Sequence, residues 1–181
     1  MVKRIQFLLL FSVILFISGC AHVISKDLRG KADLSLTFGQ VNQNPNAYKG
    51  KLVVWGGELV QTENQKDGTT QIEVFQKPLG WRGEPKDTGY SEGRFLILAE
   101  EYLDPYLFRR GKKITVAGEI QGEKIKLLGE MDYRYPVVSS KQIYLWPVYY
   151  YPTYPYYYYY DPWWGYPYWW GGFGFYYHHH R

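Results

Sequence analysis

Gly50-Lys-Leu-Val-Val-Trp-Gly-Gly-Glu-Leu59 is the stretch that decides the fold, because it recurs without gaps as Gly111-Lys-Lys-Ile-Thr-Val-Ala-Gly-Glu-Ile120. From Val53 in the first copy and Ile114 in the second, every second position is apolar or glycine, which is the period of a half-buried β-strand. Gly57 and Gly118 occupy the same inward register, where a missing side chain lets a coiled strand bend at a barrel corner. The repeat predicts two quasi-equivalent strands. The second copy predicts Ile114, Val116 and Ile120 inward, and Lys113, Thr115 and Glu119 outward.

The chain around the two copies adds further short strands, separated by polar turns. Strand patterns cover residues 69–76, 94–99, 124–128 and 135–145. Residues 78–93 hold four glycines and two prolines, so they predict a long loop. Six short strands predict an all-β domain, a small OB-like, partly open barrel, with a sandwich as the alternative.

One short N-terminal helix is predicted just before the first strand. Leu34, Phe38 and Val41 fall near one helical face, Ser35 is placed to cap the helix, and Asn44-Pro45 ends it. Residues 34–147 therefore predict one folded domain.

The N-terminus has the three parts of a secretory signal peptide. Lys3 and Arg4 precede an apolar run, residues 5–17, and small residues come directly before Cys20. The run makes about 20 Å of helix, which is too short for a hydrocarbon core of about 30 Å. Ile17-Ser-Gly-Cys20 is similar to a bacterial lipobox, so Cys20 is predicted to be lipidated after removal of residues 1–19. A stray thiol is the alternative.

Residues 20–33 carry charges with almost no periodicity, and they predict a lipidated tether between membrane and domain. Without Lys3 and Arg4, 19 basic and 17 acidic side chains remain. This small excess is interspersed with acidic residues and does not favour nucleic acid as a partner. A single cysteine also excludes an intramolecular disulfide.

Residues 148–181 predict an aromatic, low-complexity tail, because 13 of the 20 tyrosines follow Trp146 and prolines and glycines interrupt any regular pattern. Tyr and Trp rings favour membrane interfaces and stack on sugars. A tail without a dedicated partner is the alternative. Candidate ligand or partner contacts are Trp163, Trp164, Trp169 and Trp170 in the tail and Trp81 and Tyr90 in the long loop.

Catalytic chemistry finds little support in this sequence, and we predict that the protein is not an enzyme and uses no cofactor. No serine lies on a strand-to-helix elbow. His178, His179 and His180 are weak metal candidates, because consecutive side chains point in alternating directions. Asp132 and Arg134 are expected to form an ion pair that fixes the last strand, with a surface cluster as the alternative. Candidate paired carboxylates for a hydrolase are Glu100, Glu101, Glu119, Glu130 and Asp132.

With these residues in view, residues 20–147 resemble the Slp family of outer-membrane lipoproteins, named for starvation-inducible expression. The resemblance implies lipid anchoring through acyl chains such as palmitate on Cys20, in the outer membrane of a Gram-negative bacterium and facing the periplasm. It implies a role in envelope integrity or stress adaptation, without an established catalytic activity. Ala21 agrees with outer-membrane sorting, since an aspartate there would indicate inner-membrane retention. Candidate partners are peptidoglycan or an envelope protein. The residues that carry the resemblance are Asn44-Pro-Asn-Ala-Tyr-Lys-Gly-Lys51, Trp55-Gly-Gly57, Asn64-Gln-Lys-Asp-Gly68, Gly93-Arg94-Phe95, Leu103-Asp-Pro105, Gly129-Glu130, Asp132-Tyr-Arg-Tyr-Pro-Val-Val138 and Leu145-Trp-Pro147.

Overall fold

The computed structural model describes residues 22–148; Cys20, the predicted signal peptide and residues 149–181 lie outside the described residues. Within the described part, no helix is long and apolar enough to span a membrane. The elements in chain order are α1 (Lys26–Lys31), α2 (Phe38–Gln43), a 3-10 helix (Pro45–Tyr48), β1 (Leu52–Asn64), β2 (Thr70–Gln76), β3 (Arg94–Ala99), β4 (Lys113–Leu128) and β5 (Met131–Leu145).

The five strands form a closed barrel in the order β1-β2-β3-β5-β4. Neighbouring strands are antiparallel except β3 and β5, which pair in parallel from Leu96–Val137 to Leu98–Ser139. A five-stranded barrel with this order is the OB arrangement. The OB-like prediction is confirmed over the sandwich. The barrel is closed rather than partly open, because the parallel pair completes the ring.

The predicted fourth and fifth strands are one continuous strand. β4 runs through the expected turn at Gly122, whose φ of 111° is accessible to glycine. The pairing with β5 shifts between Ile120 and Gly122, so the extra residue forms a β-bulge that bends β4 without ending it.

The repeated stretches pair with each other, as quasi-equivalent strands of one barrel. β1 and β4 are antiparallel with Trp55 opposite Val116, so the residue-by-residue match of the two copies gives this pair an approximate twofold axis at that position. A methyl group at Gly57 would overlap the backbone carbonyl of Phe75 on β2. The two glycines therefore allow close approach of the next strand on either side, since a methyl group at Gly118 would likewise overlap Ser139 on β5.

One short α-helix, α2, packs against the core of the barrel. The Phe38 ring contacts Trp55 edge-to-face, with centroids 4.9 Å apart, and Phe95 at 5.9 Å. The predicted cap at Ser35 is wrong. Thr37 caps α2 in a capping box with Gln40.

The prediction that Leu34 lies on the buried face of this helix is also wrong. Leu34 lies before α2 and is 77% exposed, and the Ser35 hydroxyl donates to Asp33 instead of capping the helix. Thr37 competes successfully because Gln40 completes the capping box three residues later.

Residues 22–33 do not form the predicted tether, because they include α1 and are docked on the barrel. Ile24 is completely buried. The Gln142 side chain on β5 donates to the carbonyl of Val23 at 3.1 Å and accepts from the amide of Ser25 at 2.9 Å. The Val23 amide donates to the carbonyl of Arg82 at 3.2 Å. We use the name Gln142 clamp for the two bonds of the Gln142 side chain together with this third bond, which holds the same segment.

His22 continues the docked segment toward the N-terminus. Its Nδ1 atom accepts a hydrogen bond from the Ile24 amide at 3.0 Å. Burial, and secondarily the positive charge of Arg29, lower the pKa of His22 from its usual 6.5. The docked segment therefore favours a neutral imidazole, because only the neutral ring can accept at Nδ1.

Gly57→Ala is expected to lower the free energy of unfolding by about 3 kcal/mol or to prevent folding, since the added methyl group has no room beside Phe75. Chemical denaturation measures the loss. Gly89→Ala is the matched control, because nothing lies within 4 Å of that methyl group. Equal stabilities of the two variants would contradict the close approach at Gly57.

Acidification is expected to loosen the docked segment. The pKa of His22 is lower when docked than when free, so docking is complete above about pH 6.5 and weakens as pH falls from there toward the lowered pKa. Hydrogen exchange of the Ser25 amide, corrected for intrinsic rates, measures this. His22→Asn keeps an acceptor but does not titrate, so its protection should be independent of pH. The same acid-dependent loss in both proteins would exclude His22 as the cause.

Candidate functional site

Both ends of the described chain leave the barrel at one face. A methyl group at Gly83 would lie 2.8 Å from Cε1 of His22. The carbonyl of Gly83 accepts a hydrogen bond from the Thr115 hydroxyl at 2.6 Å, and the Trp146 indole donates to that hydroxyl at 2.9 Å. A short chain of contacts thus joins the two exits. We define the exit face as His22, Trp81, Arg82, Gly83 and Trp146.

The outer wall of the barrel is covered at this face. Thr115 lies on the outer side of the wall, as predicted, but it is not exposed to solvent. Thr115 is completely buried under the long loop and Trp146. Gly56, beside it on β1, has no room for a methyl group between the Ile114 carbonyl and Leu79. The small outward residues Gly56, Thr115 and Ala117 could have indicated this cover in the sequence. Outward positions of a solvent-exposed strand usually carry charged or polar side chains.

Trp81 and Tyr90 lie against different elements, so the structure does not join them in one binding site. Trp81 is 69% exposed on the exit face, with the Arg82 guanidinium carbon 5.9 Å from its ring centroid. Tyr90 is 60% exposed, and its hydroxyl lies 3.4 Å from the carboxylate of Glu92, whose backbone carbonyl accepts a hydrogen bond from Asn42 on α2. Trp81 belongs to the exit face, and Tyr90 does not.

A buried polar network lies on the outer wall of β2, β3 and β5. The Glu73 carboxylate pairs with the Arg94 guanidinium at 2.6 Å and accepts from the Tyr135 hydroxyl at 3.3 Å. Burial, then the charge of Glu73, raises the pKa of Tyr135. The Tyr133 hydroxyl accepts from the Arg94 amide at 2.9 Å. In residues 22–148, no buried side-chain polar atom lacks a hydrogen-bond partner. The network links three strands where β3 and β5 share a short pairing.

The expected Asp132–Arg134 ion pair is wrong. Arg134 pairs with Glu123 at 3.3 Å. Ile125 on β4 lies directly opposite Arg134, and Glu123 lies two residues before Ile125, at the diagonal position on the same face. A diagonal cross-strand neighbour is within reach of a long side chain, and the arginine side chain spans this distance to Glu123.

The five candidate carboxylates do not form one site: three lie around Lys141, and two lie in the β4–β5 hairpin. Glu100 and Glu101 line a shallow depression of about 250 Å³ beside Lys141 and Gln142. Glu119 lies 3.6 Å from the Lys141 ammonium group, while Glu130 and Asp132 are exposed in the β4–β5 hairpin. Within residues 22–148, no group of three His, Cys, Asp or Glu side chains could hold a metal ion.

Several sequence candidates lie outside the described residues. These are Cys20, Trp163, Trp164, Trp169, Trp170, His178, His179 and His180.

Sequence reasoning did not single out the β4–β5 hairpin tip. It exposes Ile125, Leu127 and Met131 to between 61% and 68%. These residues lie on the distal parts of β4 and β5. The sequence did not predict that β4 continues this far, because the bulge at Gly122 was interpreted as a turn.

Comparison with solved structures returns small OB-like proteins at low similarity. The chain aligns with a single-stranded DNA-binding protein from Streptomyces coelicolor at a TM-score of 0.38 and 12% identity, over 53% of this chain and 94% of that protein. It aligns with the mitochondrial single-stranded DNA-binding protein Rim1 from S. cerevisiae at 0.34 and 11%, over 53% and 94% of the two chains. Likeness at this level carries no functional argument.

Comparison with known sequences is more specific. The chain is 26% identical over 140 residues to the outer membrane protein Slp of Escherichia coli strain K12, covering 76% of this chain and 73% of that protein. It is 30% identical over 125 residues to the uncharacterized lipoprotein YeaY of the same strain, covering 69% and 64%. The profile of the outer membrane lipoprotein Slp family matches residues 17–172. The chain therefore belongs to the Slp family of outer membrane lipoproteins.

Proposed function

We propose that the protein is a non-enzymatic lipoprotein that is held at the outer membrane through acyl chains on Cys20 and supports envelope integrity or stress adaptation. Residues 1–19 are removed as a signal peptide, and Cys20 becomes the N-terminus. Residues 22–147 form the body, which faces the periplasm, and residues 148–181 form an aromatic tail. The observation that carries this proposal is the lipobox-like Ile17-Ser-Gly-Cys20 at the start of a chain segment that matches the family.

Acylation at Cys20 supplies the attachment energy. One acyl chain binds a membrane only marginally, while each buried methylene adds about 0.8 kcal/mol, so two or three chains hold stably. The barrel itself contributes a closed, hydrogen-bonded body. The Glu73 carboxylate supports the fold, since it already binds Arg94 and Tyr135.

A second candidate function is an envelope binding module. The exposed rings of Trp81 and Tyr90 and the apolar hairpin tip favour this function. Tail rings at Trp163, Trp164, Trp169 and Trp170 would add to the contact area. Peptidoglycan or an envelope protein is the partner class, because aromatic side chains stack on sugars and on apolar protein surfaces.

Cys20→Ala is expected to leave an uncleaved precursor that incorporates no labelled palmitate, because the acceptor thiol is gone. Fractionation and intact mass measure both effects. Ala21→Ser is the matched control and should be processed normally. Ala21→Asp should be acylated but retained in the inner membrane. Normal processing and membrane partition of Cys20→Ala would contradict the proposed anchor.

Deletion of residues 149–181 is expected to weaken binding to peptidoglycan or outer-membrane fragments several-fold, if the tail is the contact of the second function. The comparison uses a secreted, non-lipidated form with Cys20→Ala behind a conventional signal peptide. Replacing Trp163, Trp164, Trp169 and Trp170 by serine should reproduce much of the loss, and replacing His178, His179 and His180 by alanine should not. Sedimentation with the fragments measures binding, and unchanged binding after deletion would exclude the tail.

A further inference from the structure

We propose that the exit face rests directly on the lipid headgroups of the membrane that holds the acyl chains, with the Trp81 ring in the interfacial layer and Arg82 beside the phosphates. This inference rests on the proposed acylation of Cys20. It goes beyond it by assigning a membrane-contact surface and an orientation to the barrel.

Only a short length of chain separates the proposed anchor from the barrel. Cys20 and His22 are two residues apart, and two Cα–Cα steps reach at most about 8 Å. Each polar layer of a bilayer is about 5–8 Å thick, from a total of about 40–45 Å around a core of about 30 Å. A barrel fixed at His22 therefore has no room for a free tether beyond the headgroups.

Residues 22–25 are fixed to the barrel and cannot act as a spacer. The Gln142 clamp fixes Val23 and Ser25, and the buried Ile24 side chain lies between them. His22 is in turn held by the Ile24 amide and lies against Gly83. The chain between Cys20 and the barrel cannot lengthen unless this docked segment detaches, so acylation of Cys20 brings the exit face to the membrane.

The chemistry of the exit face fits a lipid surface. Of the three tryptophans within residues 22–148, Trp55 and Trp146 are buried, whereas Trp81 is 69% exposed. Its neighbour Arg82 is also exposed and bonds the docked segment only through its backbone carbonyl. An indole ring favours the headgroup level, and a guanidinium group binds phosphate oxygens, so this pair has the composition of an interfacial contact.

The nearby loop charges do not oppose this contact strongly. Asp87 pairs with the Lys113 ammonium group at 2.9 Å, and Glu84 lies 3.8 Å from the same group. Two carboxylates thus share one cation, and Arg82 and Lys86 add positive charge in the same loop. The loop is close to neutral overall, so the contact depends on the ring and the guanidinium group rather than on a large positive field.

The β4–β5 hairpin supplies an internal reference at the other end of β4. Leu128, at the hairpin, lies thirteen residues along β4 from Thr115, the buried residue that donates to Gly83 of the exit face. A straight strand of that length spans about 43 Å, and the bend at Gly122 shortens this distance. Glu130 is exposed in the turn of this hairpin. The proposed orientation holds that turn in water, away from the membrane.

A matched pair of labels tests the orientation. Cys20 is the only cysteine and is acylated, so Glu84→Cys and Glu130→Cys each introduce one reactive thiol by the same substitution. The full acylated chain carries a fluorescent label there, in vesicles of phosphatidylethanolamine and phosphatidylglycerol. A nitroxide on the lipid headgroup should quench the label at position 84 several-fold more than the label at position 130. An aqueous quencher should act in the reverse order.

The outcomes separate this inference from the proposed function. If the protein is not acylated and does not float with the vesicles, the proposed function fails, and this inference fails with it. If it is acylated and floats but the two labels are quenched equally, the orientation is overturned while the anchor stands. Trp81→Ser in the Glu84→Cys protein should at least halve the headgroup quenching, and Trp81→Phe should retain most of it. Unchanged quenching in Trp81→Ser would overturn the role of the ring.

Discussion

The side-chain amide of Gln142 bonds the backbone on both sides of Ile24, and the placement of the N-terminal segment depends on this contact. One amide supplies both a donor and an acceptor, so it satisfies two backbone groups that a docked segment would otherwise leave unpaired. The buried Ile24 side chain adds apolar area to the same contact. Together they make residues 22–25 part of the barrel. In a lipoprotein of this family, that removes the flexible tether.

The barrel provides the rigid body to which this segment is docked. Pairing of the repeated stretches around Trp55 and Val116 gives two strands related by an approximate twofold axis. Their glycines, Gly57 and Gly118, lie where the backbone of a neighbouring strand leaves no room for a side chain. The outer wall beside this pair is covered by the long loop and Trp146, and that cover brings the two chain exits together. The β1–β4 pair is thus part of the closed barrel and also carries the wall that the exit face covers.

The sequence predicted the barrel and the family well, because both depend on patterns that are local or repeated. Alternation in the two copies and their shared glycines required no knowledge of the tertiary structure. The docked segment could not be predicted, since Ile24 shows no periodicity and Gln142 is more than a hundred residues away. The length of β4 was missed because glycine with positive φ serves a bulge as readily as a turn. The Arg134 partner was missed because it lies on the opposite strand.

Neutron reflectometry of the full acylated chain on a supported bilayer measures most directly the distance between the membrane and the barrel. A barrel held two residues from its anchor predicts protein density that begins within the headgroup layer, with no resolved water layer between them. A hydrated gap wider than the roughly 8 Å that two residues can span would contradict the docked segment as the link between membrane and barrel.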